Sequence, residues 1–262
     1  MGYKTILWEM QDGIATLTLN RPDRLNAVDG DMCSEMLQVL QQASRKEGVR
    51  VLVITGAGKA FCAGGEMQEI LKANQDPALA YKGVKAVQDV FQTLRNLPYP
   101  VIAKINGDAI GGGCGLALAC DFKIASEEAR LGTPFVRIGL AGADFGVSYI
   151  LPRLVGLTKA TEMLMLGFLL SAKEAQKMGL LNRAVPSGEL RGEVDRLAER
   201  LSKGPPLALK FTKMAIGQSL DKDLSTELDF EAYAQTTCML SRDVQEGIQA
   251  FLEKREPTFR GV

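Results

Sequence analysis

The stretch Val101-Ile102-Ala103-Lys104-Ile105-Asn106-Gly107-Asp108-Ala109-Ile110-Gly111-Gly112-Gly113-Cys114-Gly115-Leu116-Ala117-Leu118-Ala119 decides how the chain is read. It opens as a short, mostly apolar strand, passes through a glycine-rich turn and resumes as a helix at Leu116-Ala117-Leu118-Ala119. The same step occurs upstream, where the strand Val51-Leu52-Val53-Ile54-Thr55 closes on Gly56-Ala57-Gly58 and leads into Phe61-Cys62-Ala63-Gly64-Gly65-Glu66-Met67. Another strand is expected at Asp121-Phe122-Lys123-Ile124-Ala125. Short apolar strands alternating with helices imply one α/β domain with a mainly parallel, buried sheet system.

Working outward, residues Thr5-Ile6-Leu7-Trp8 and Gly13-Ile14-Ala15-Thr16-Leu17-Thr18-Leu19 alternate as strands, joined by a turn at Gln11-Asp12-Gly13. Asn20-Arg21-Pro22-Asp23 breaks that run, and Met32, Met36, Leu37 and Leu40 then recur at helical spacing up to about Arg45, a β-β-α-β opening. A long helix is expected from about Pro77 to Leu97, ending at Pro98-Tyr99-Pro100. Residues 187–254 contain no strand-like run but four helical stretches, broken at Gly204-Pro205-Pro206, Gly217 and Ser241-Arg242-Asp243. The sequence therefore predicts an α/β core over residues 1–196 and a helical region over 197–262, packed on the core or on a neighbouring subunit.

Composition removes many functions. The 262 residues include no histidine, which excludes Ser-His-Asp and Cys-His triads, imidazole metal ligands and the usual proton shuttle near neutral pH. Acid–base work falls to other side chains, carboxylates first. Basic and acidic residues number 31 each, so no global field favours nucleic acid or an anionic membrane. The five cysteines Cys33, Cys62, Cys114, Cys120 and Cys238 never form Cys-x-x-Cys and read as buried thiols of a reducing compartment, with no metal site. With no signal-like N-terminus and no run of about 20 apolar residues, a soluble cytoplasmic protein is expected.

The two glycine junctions are the first candidates for chemistry. Glycines let a ligand approach main-chain N–H groups, and the following helix adds the positive end of its dipole. Two such groups converging on one oxygen make an oxyanion hole; close packing of helix on sheet is the alternative reason for the glycines. No Gly-Lys-Ser/Thr follows either loop, and the second lacks the last small residue of a dinucleotide fingerprint, so phosphate-loop readings fail.

Asn20-Arg21-Pro22-Asp23-Arg24-Leu25-Asn26-Ala27, Phe61-Cys62-Ala63-Gly64-Gly65-Glu66, Asn106-Gly107-Asp108-Ala109-Ile110-Gly111-Gly112-Gly113-Cys114, Ser171-Ala172-Lys173-Glu174-Ala175 with Gly179-Leu180, and Phe251-Leu252-Glu253-Lys254-Arg255 together resemble the enoyl-CoA hydratase/isomerase (crotonase) family, in order and over essentially the whole chain. The resemblance implies a crotonase-like (ClpP/crotonase) α/β spiral of β-β-α repeats, with a C-terminal helical region that forms a homotrimer or a dimer of trimers. It implies that the N–H groups of Gly65 and Gly112 bind the thioester oxygen of an acyl-CoA, and that Arg24, Leu25, Ala27, Ala63, Glu66 and Met67 line the CoA portion. For Glu66 the alternative is a residue that only shapes its turn. Coenzyme A enters as part of the substrate, and no separate cofactor is implied.

The family's hydratases use two glutamates, whose positions here hold Gly115 and Phe135, neither able to transfer a proton. These two are expected to line the acyl pocket, Gly115 enlarging it and Phe135 making it more apolar. One carboxylate remains, Asp144 in Gly139-Leu140-Ala141-Gly142-Ala143-Asp144-Phe145-Gly146, at the position where dienoyl-CoA isomerases, ring-forming isomerases and 4-chlorobenzoyl-CoA dehalogenases of the family carry Asp. The dehalogenases also need a histidine. Asp144 is read as a single acid/base for double-bond migration, or else as the N-cap of the helix beginning near Phe145. Tyr149 is an auxiliary donor or a packing aromatic. Beside the isomerase stand a hydratase or hydrolase of an unusual cyclic or aromatic acyl-CoA, a non-catalytic acyl-CoA-binding protein and, weakest, a nucleic-acid-binding role.

Overall fold

The computed structural model describes residues 2–45 and 48–261. Strands β1 (Ile6–Gln11) and β2 (Ile14–Leu19) form the expected antiparallel hairpin, with Asp12 and Gly13 both at positive φ in its two-residue turn. Helix α1 (Gly30–Arg45) follows, capped by Asp29, whose Oδ1 accepts the Met32 N–H at 2.9 Å.

Three strand pairs then repeat one pattern: β3 (Val51–Gly56) with β4 (Ala60–Cys62), β5 (Val101–Ile105) with β6 (Asp108–Ile110), and β7 (Phe122–Ser126) with β8 (Arg130–Gly132). In each pair the first strand joins one sheet and the second strand another. Adding β9 (Leu169–Ser171) and β10 (Arg183–Val185), the six-stranded sheet has order β1-β2-β3-β5-β7-β10 and the four-stranded sheet β4-β6-β8-β9. Within the first, β2, β3, β5, β7 and β10 run parallel. Helices α2 (Met67–Ala73), α3 (Pro77–Arg95), α4 (Gly112–Ala119) and α5 (Val147–Leu166) complete the turns of the spiral, and α6 (Ala172–Lys177) links β9 to β10. The short strands β4, β6, β8, β9 and β10 had no sequence signal of their own, because three-residue runs show no periodicity.

Alternate residues of the large sheet face opposite ways, and both faces are covered. Val51, Val53, Ile102 and Ile124 pack against Leu190, Val194 and Ala198 of α7 (Ser187–Ser202), while Leu52, Ile54, Val101 and Ala103 face the main core with α1 and α3. Double coverage is why these strands read as unbroken apolar runs. Position 196 lies inside α7, which continues unbroken to Ser202.

Helices α8 (Pro206–Gln218), α9 (Leu224–Met239) and α10 (Arg242–Glu253) follow α7, giving the four helices expected beyond Pro186. The break expected at Gly217 lies further on, since α8 runs through it to Gln218. Lys213 fastens α8 to the core, pairing with Asp121 at 2.8 Å and donating to the Tyr99 carbonyl at 3.1 Å. Met239, Phe251 and Leu252 of the last two helices remain exposed. No helix of the described residues is long and apolar enough to cross a membrane.

Candidate active site

The two glycine junctions meet. A Cβ built on Gly64 would stand 3.0 Å from the Ile110 carbonyl oxygen and 3.6 Å from the Gly112 nitrogen, and one on Gly113 only 2.1 Å from the carbonyl oxygen of Cys62. Glycine at 113 is therefore required for α4 to lie against β4. Gly64 has φ +103, a region that only glycine enters without strain.

Each junction leaves one N–H without an acceptor among the described residues. The Gly64 carbonyl accepts the Val28 N–H at 2.7 Å, and Glu66 N–H donates back to the Val28 carbonyl at 2.9 Å. A trans peptide points its C=O and N–H in opposite directions, so fixing the Gly64 carbonyl also fixes the Gly65 N–H, turned away from Val28. On the other side the Gly111 carbonyl accepts the Gly115 N–H at 3.1 Å as the first bond of α4, so the Gly112 N–H points out of the helix N-terminus. Among the described residues no acceptor takes the N–H of Gly65 or of Gly112.

The segment carrying the first donor is held by a polar framework. Ala63 N–H donates to the Leu25 carbonyl at 3.0 Å, which lays residues 25–28 beside 63–66. Asn26 is fully buried at positive φ, and its amide donates to the carbonyls of Ala57 and Ala60, each at 2.9 Å, while its oxygen accepts the Arg21 N–H. Arg21 pairs with Asp29 at 2.8 Å and Glu66 at 3.5 Å and donates to the Ala27 carbonyl at 2.6 Å. The carboxylate of Glu66 reaches Arg21 and Arg24 and makes no capping bond to α2. Arg24, Leu25, Ala27, Ala63 and Glu66 are thus brought together beside Gly65, with Met67, the exposed first residue of α2, following Glu66. Arg21 and Asn26 were quoted in the sequence motif without a role; a buried asparagine with three partners carries no signal beyond its place in that motif.

Asp144 lies on the turn before α5. Its Oδ1 accepts the N–H of Phe145 at 2.8 Å, and no Lys or Arg among the described residues pairs with it. Burial raises its pKa above the ordinary carboxylate value, partly offset by that one hydrogen bond. The N-cap of α5 is Gly146, without a side-chain cap, so Asp144 does not have the capping role allowed for it. The other carboxylates of this region are committed: Asp29 and Glu66 to Arg21, and Glu69 to the N–H of Gly30 at 2.9 Å. Asp144 also bears electrostatically on Cys33 of α1, whose thiol burial pushes up to about 12 with Asp29, Glu69, Cys62 and Asp144 adding to the effect. Cys62 and Cys114 are likewise raised to about 12 by burial and stay neutral thiols, which removes a cysteine nucleophile.

Phe145 corrects one expectation about the pocket. A Cβ on Gly115 would lie 2.3 Å from Phe145 Cβ, and one on Gly112 would lie 2.5 Å from its Cε2. The side chain of Phe145 lies along α4 and fills the space that Gly115 leaves, so Gly115 does not enlarge the pocket but admits an aromatic into it. Phe135 is buried in the 3-10 turn Pro134–Ile138, its ring 3.4 Å from where a Cβ of Gly111 would stand. Phe145 has φ +49, strained for an aromatic residue. Tyr149 is no auxiliary donor in this structure: its hydroxyl is bonded to Asp221, and the Arg153 guanidinium lies 3.7 Å over its ring. No cluster of metal-ligating side chains occurs among the described residues.

The comparisons with known proteins place the chain in one family. The family profile described as enoyl-CoA hydratase/isomerase matches residues 9–262. The chain is 36% identical over 265 residues to a crotonyl-CoA hydratase of Syntrophomonas wolfei, covering 99% of each. It is 36% identical over 261 residues to a 1,2-epoxyphenylacetyl-CoA isomerase of Escherichia coli, covering 98% of each. Among solved structures, an enoyl-CoA hydratase from Bacillus anthracis superposes with a TM-score of 0.94 at 34% identity, covering 99% of this chain and 100% of that one. Similarity to a hydratase and to an isomerase is equal, so the choice between the two rests on the residues of the site.

Proposed function

Because the chain belongs to the enoyl-CoA hydratase/isomerase family, we propose that it moves a double bond within an acyl-CoA thioester, using Asp144 as its single acid/base. The thioester oxygen accepts from Gly65 and Gly112. The Asp144 carboxylate takes an α- or γ-proton, the electron pair passes to the thioester oxygen as a dienolate, and Asp144 returns the proton to another carbon of the same system. No water is consumed and no other reactant is needed.

The observation that carries this reading is the lone free carboxylate at a site whose other acids are all engaged. Hydration needs one group to take a proton from water and another to deliver one to carbon. Gly115 and Phe135 do neither, and Phe145 occupies the space in which a side chain at 115 would stand. Burial without a cation raises the Asp144 pKa, which brings a carboxylate nearer to the range useful for returning a proton. The exposed apolar residues of α9 and α10 support the reading of a homotrimer or a dimer of trimers.

The test is exchange of substrate protons in deuterated water with 3-enoyl-CoAs. The wild type is expected to exchange and isomerise them, and Asp144→Asn to lose about 10²–10⁴-fold in both. Unchanged exchange in D144N would refute the assignment, and ¹⁸O incorporated from labelled water into the product would replace isomerisation with hydration.

A further inference from the structure

We infer that Phe145 is the fixed floor of the acyl pocket and restricts the site to short, compact acyl groups. This rests on the placement of the thioester oxygen at Gly65 and Gly112 proposed above. Three observations carry it. The side chain lies along the Gly112–Gly115 face of α4, directly beside one oxyanion donor and one residue from the acid, so the carbons next to the thioester must meet it. Beside it Val28, Cys33, Met36, Val90 and Leu116 line an apolar crevice that is too tight for a water molecule while the Phe145 ring stands against it. That lining is hydrocarbon, thioether and thiol, so the only group it would welcome is an apolar tail, and the ring of Phe145 is what stands in the way.

The turn is also clamped, which decides between a floor and a gate. Gly146 has φ +65, and a Cβ there would lie 2.4 Å from the Phe91 ring of α3. Phe145 is thus pressed on α4 while the next residue is pressed on α3. With the Gly146 backbone held against α3 and the Phe145 ring resting on α4, the turn has no room to swing the ring aside, so the acyl group ends where the ring begins.

The experiment uses butanoyl-CoA and decanoyl-CoA, saturated thioesters that no isomerase can turn over, with dissociation constants measured by calorimetry. For the wild type, decanoyl-CoA is expected to bind no more than threefold tighter than butanoyl-CoA, since its tail finds no burial. In Phe145→Ala the crevice opens, and because each buried methylene tightens binding about fourfold, decanoyl-CoA should gain at least tenfold while butanoyl-CoA changes little. Phe145→Leu, which keeps the packing on α4, should fall between the two and serves if F145A does not fold. A wild type that already prefers decanoyl-CoA more than tenfold, or folded F145A and F145L variants with the wild-type ratio, overturns the inference. The readout is independent of turnover: loss of the isomerase reading would leave these ratios standing, and unchanged ratios would leave proton exchange by Asp144 standing.

Discussion

The glycine junctions and the turn that carries Asp144 are held in opposite ways. Gly65 and Gly112 are fixed through the carbonyls of their own peptides, one bonded into a small ladder with Val28 and the other into the first turn of α4. Asp144 has one short-range hydrogen bond, no cation and a neighbour in a strained conformation. The glycine junctions thus form a well-braced frame, the one to which the proposed function presents the thioester, whereas Asp144 is carried on a separate turn with little polar support. A family with one frame and several reactions is what such a division permits, because the turn can be rebuilt without disturbing the frame.

The frame should fail most severely where its two halves touch. In Gly64→Ala a Cβ at φ +103 would press within 3.0 Å of the Ile110 carbonyl, and the peptide carrying the Gly65 N–H would have to rotate. Turnover, measured as kcat on a 3-enoyl-CoA, should fall about 10²–10³-fold, the usual loss for one oxyanion donor. If G64A keeps wild-type kcat, the orientation of this peptide is not what holds the frame.

Next comes the polar framework behind it. Arg21→Met removes the partner of two carboxylates, Asp29 and Glu66, whose side chains are each under 15% exposed. Leaving Asp29 without its cation and Glu66 with only the more distant Arg24 should destabilise the protein by about 2–4 kcal/mol, read from denaturant unfolding. A drop under about 0.5 kcal/mol would show that the frame stands on its backbone ladder alone.

The acid should then reveal itself by its pH dependence. Burial raises the Asp144 pKa, so the acid limb of kcat/KM should lie above the ordinary aspartate value of about 3.9, and activity should fall tenfold per pH unit below it. An acid limb at or below the ordinary value would mean that the base is another, better solvated carboxylate.

The same division explains what could be read in the sequence. The hairpin and the strands of the large sheet other than β10 were legible, because five or six residues in a row leave a periodic or continuous apolar trace. The glycine junctions were legible as well, since close approach and positive φ narrow the choice of residue so far. The second sheet was not, being built of three-residue strands whose positions follow from the winding of the chain. The consequence of Gly115 was misread for a related reason. A missing side chain looks like space in a sequence, but which residue fills that space is set by a contact between positions 115 and 145, and only the folded chain brings these together. Likewise the sequence left Asp144 the alternative of capping α5, and it took the backbone, which starts the helix after Gly146, to free it from that role.

The smallest effect bears most directly on the difference between frame and turn. A carboxyl group with a raised folded-state pKa binds its proton more tightly in the native protein than in the unfolded chain, so its ionised form destabilises the fold. That penalty is fully present above the raised pKa, fades as pH falls through it and is gone below the unfolded value. Asp144→Asn keeps the shape of the side chain without the charge, and should therefore melt at a slightly higher temperature than the wild type at neutral pH. The gain should vanish toward the pH at which Asp144 protonates. Thermal melts of both proteins across that range would show the two curves converging on the acid side. Parallel curves would mean that the turn does not hold its acid under desolvation, and the contrast between a well-supported frame and a sparsely supported acid would lose its electrostatic half. Convergence would mean that D144N exchanges catalysis for stability, the signature of a charge retained for its chemistry.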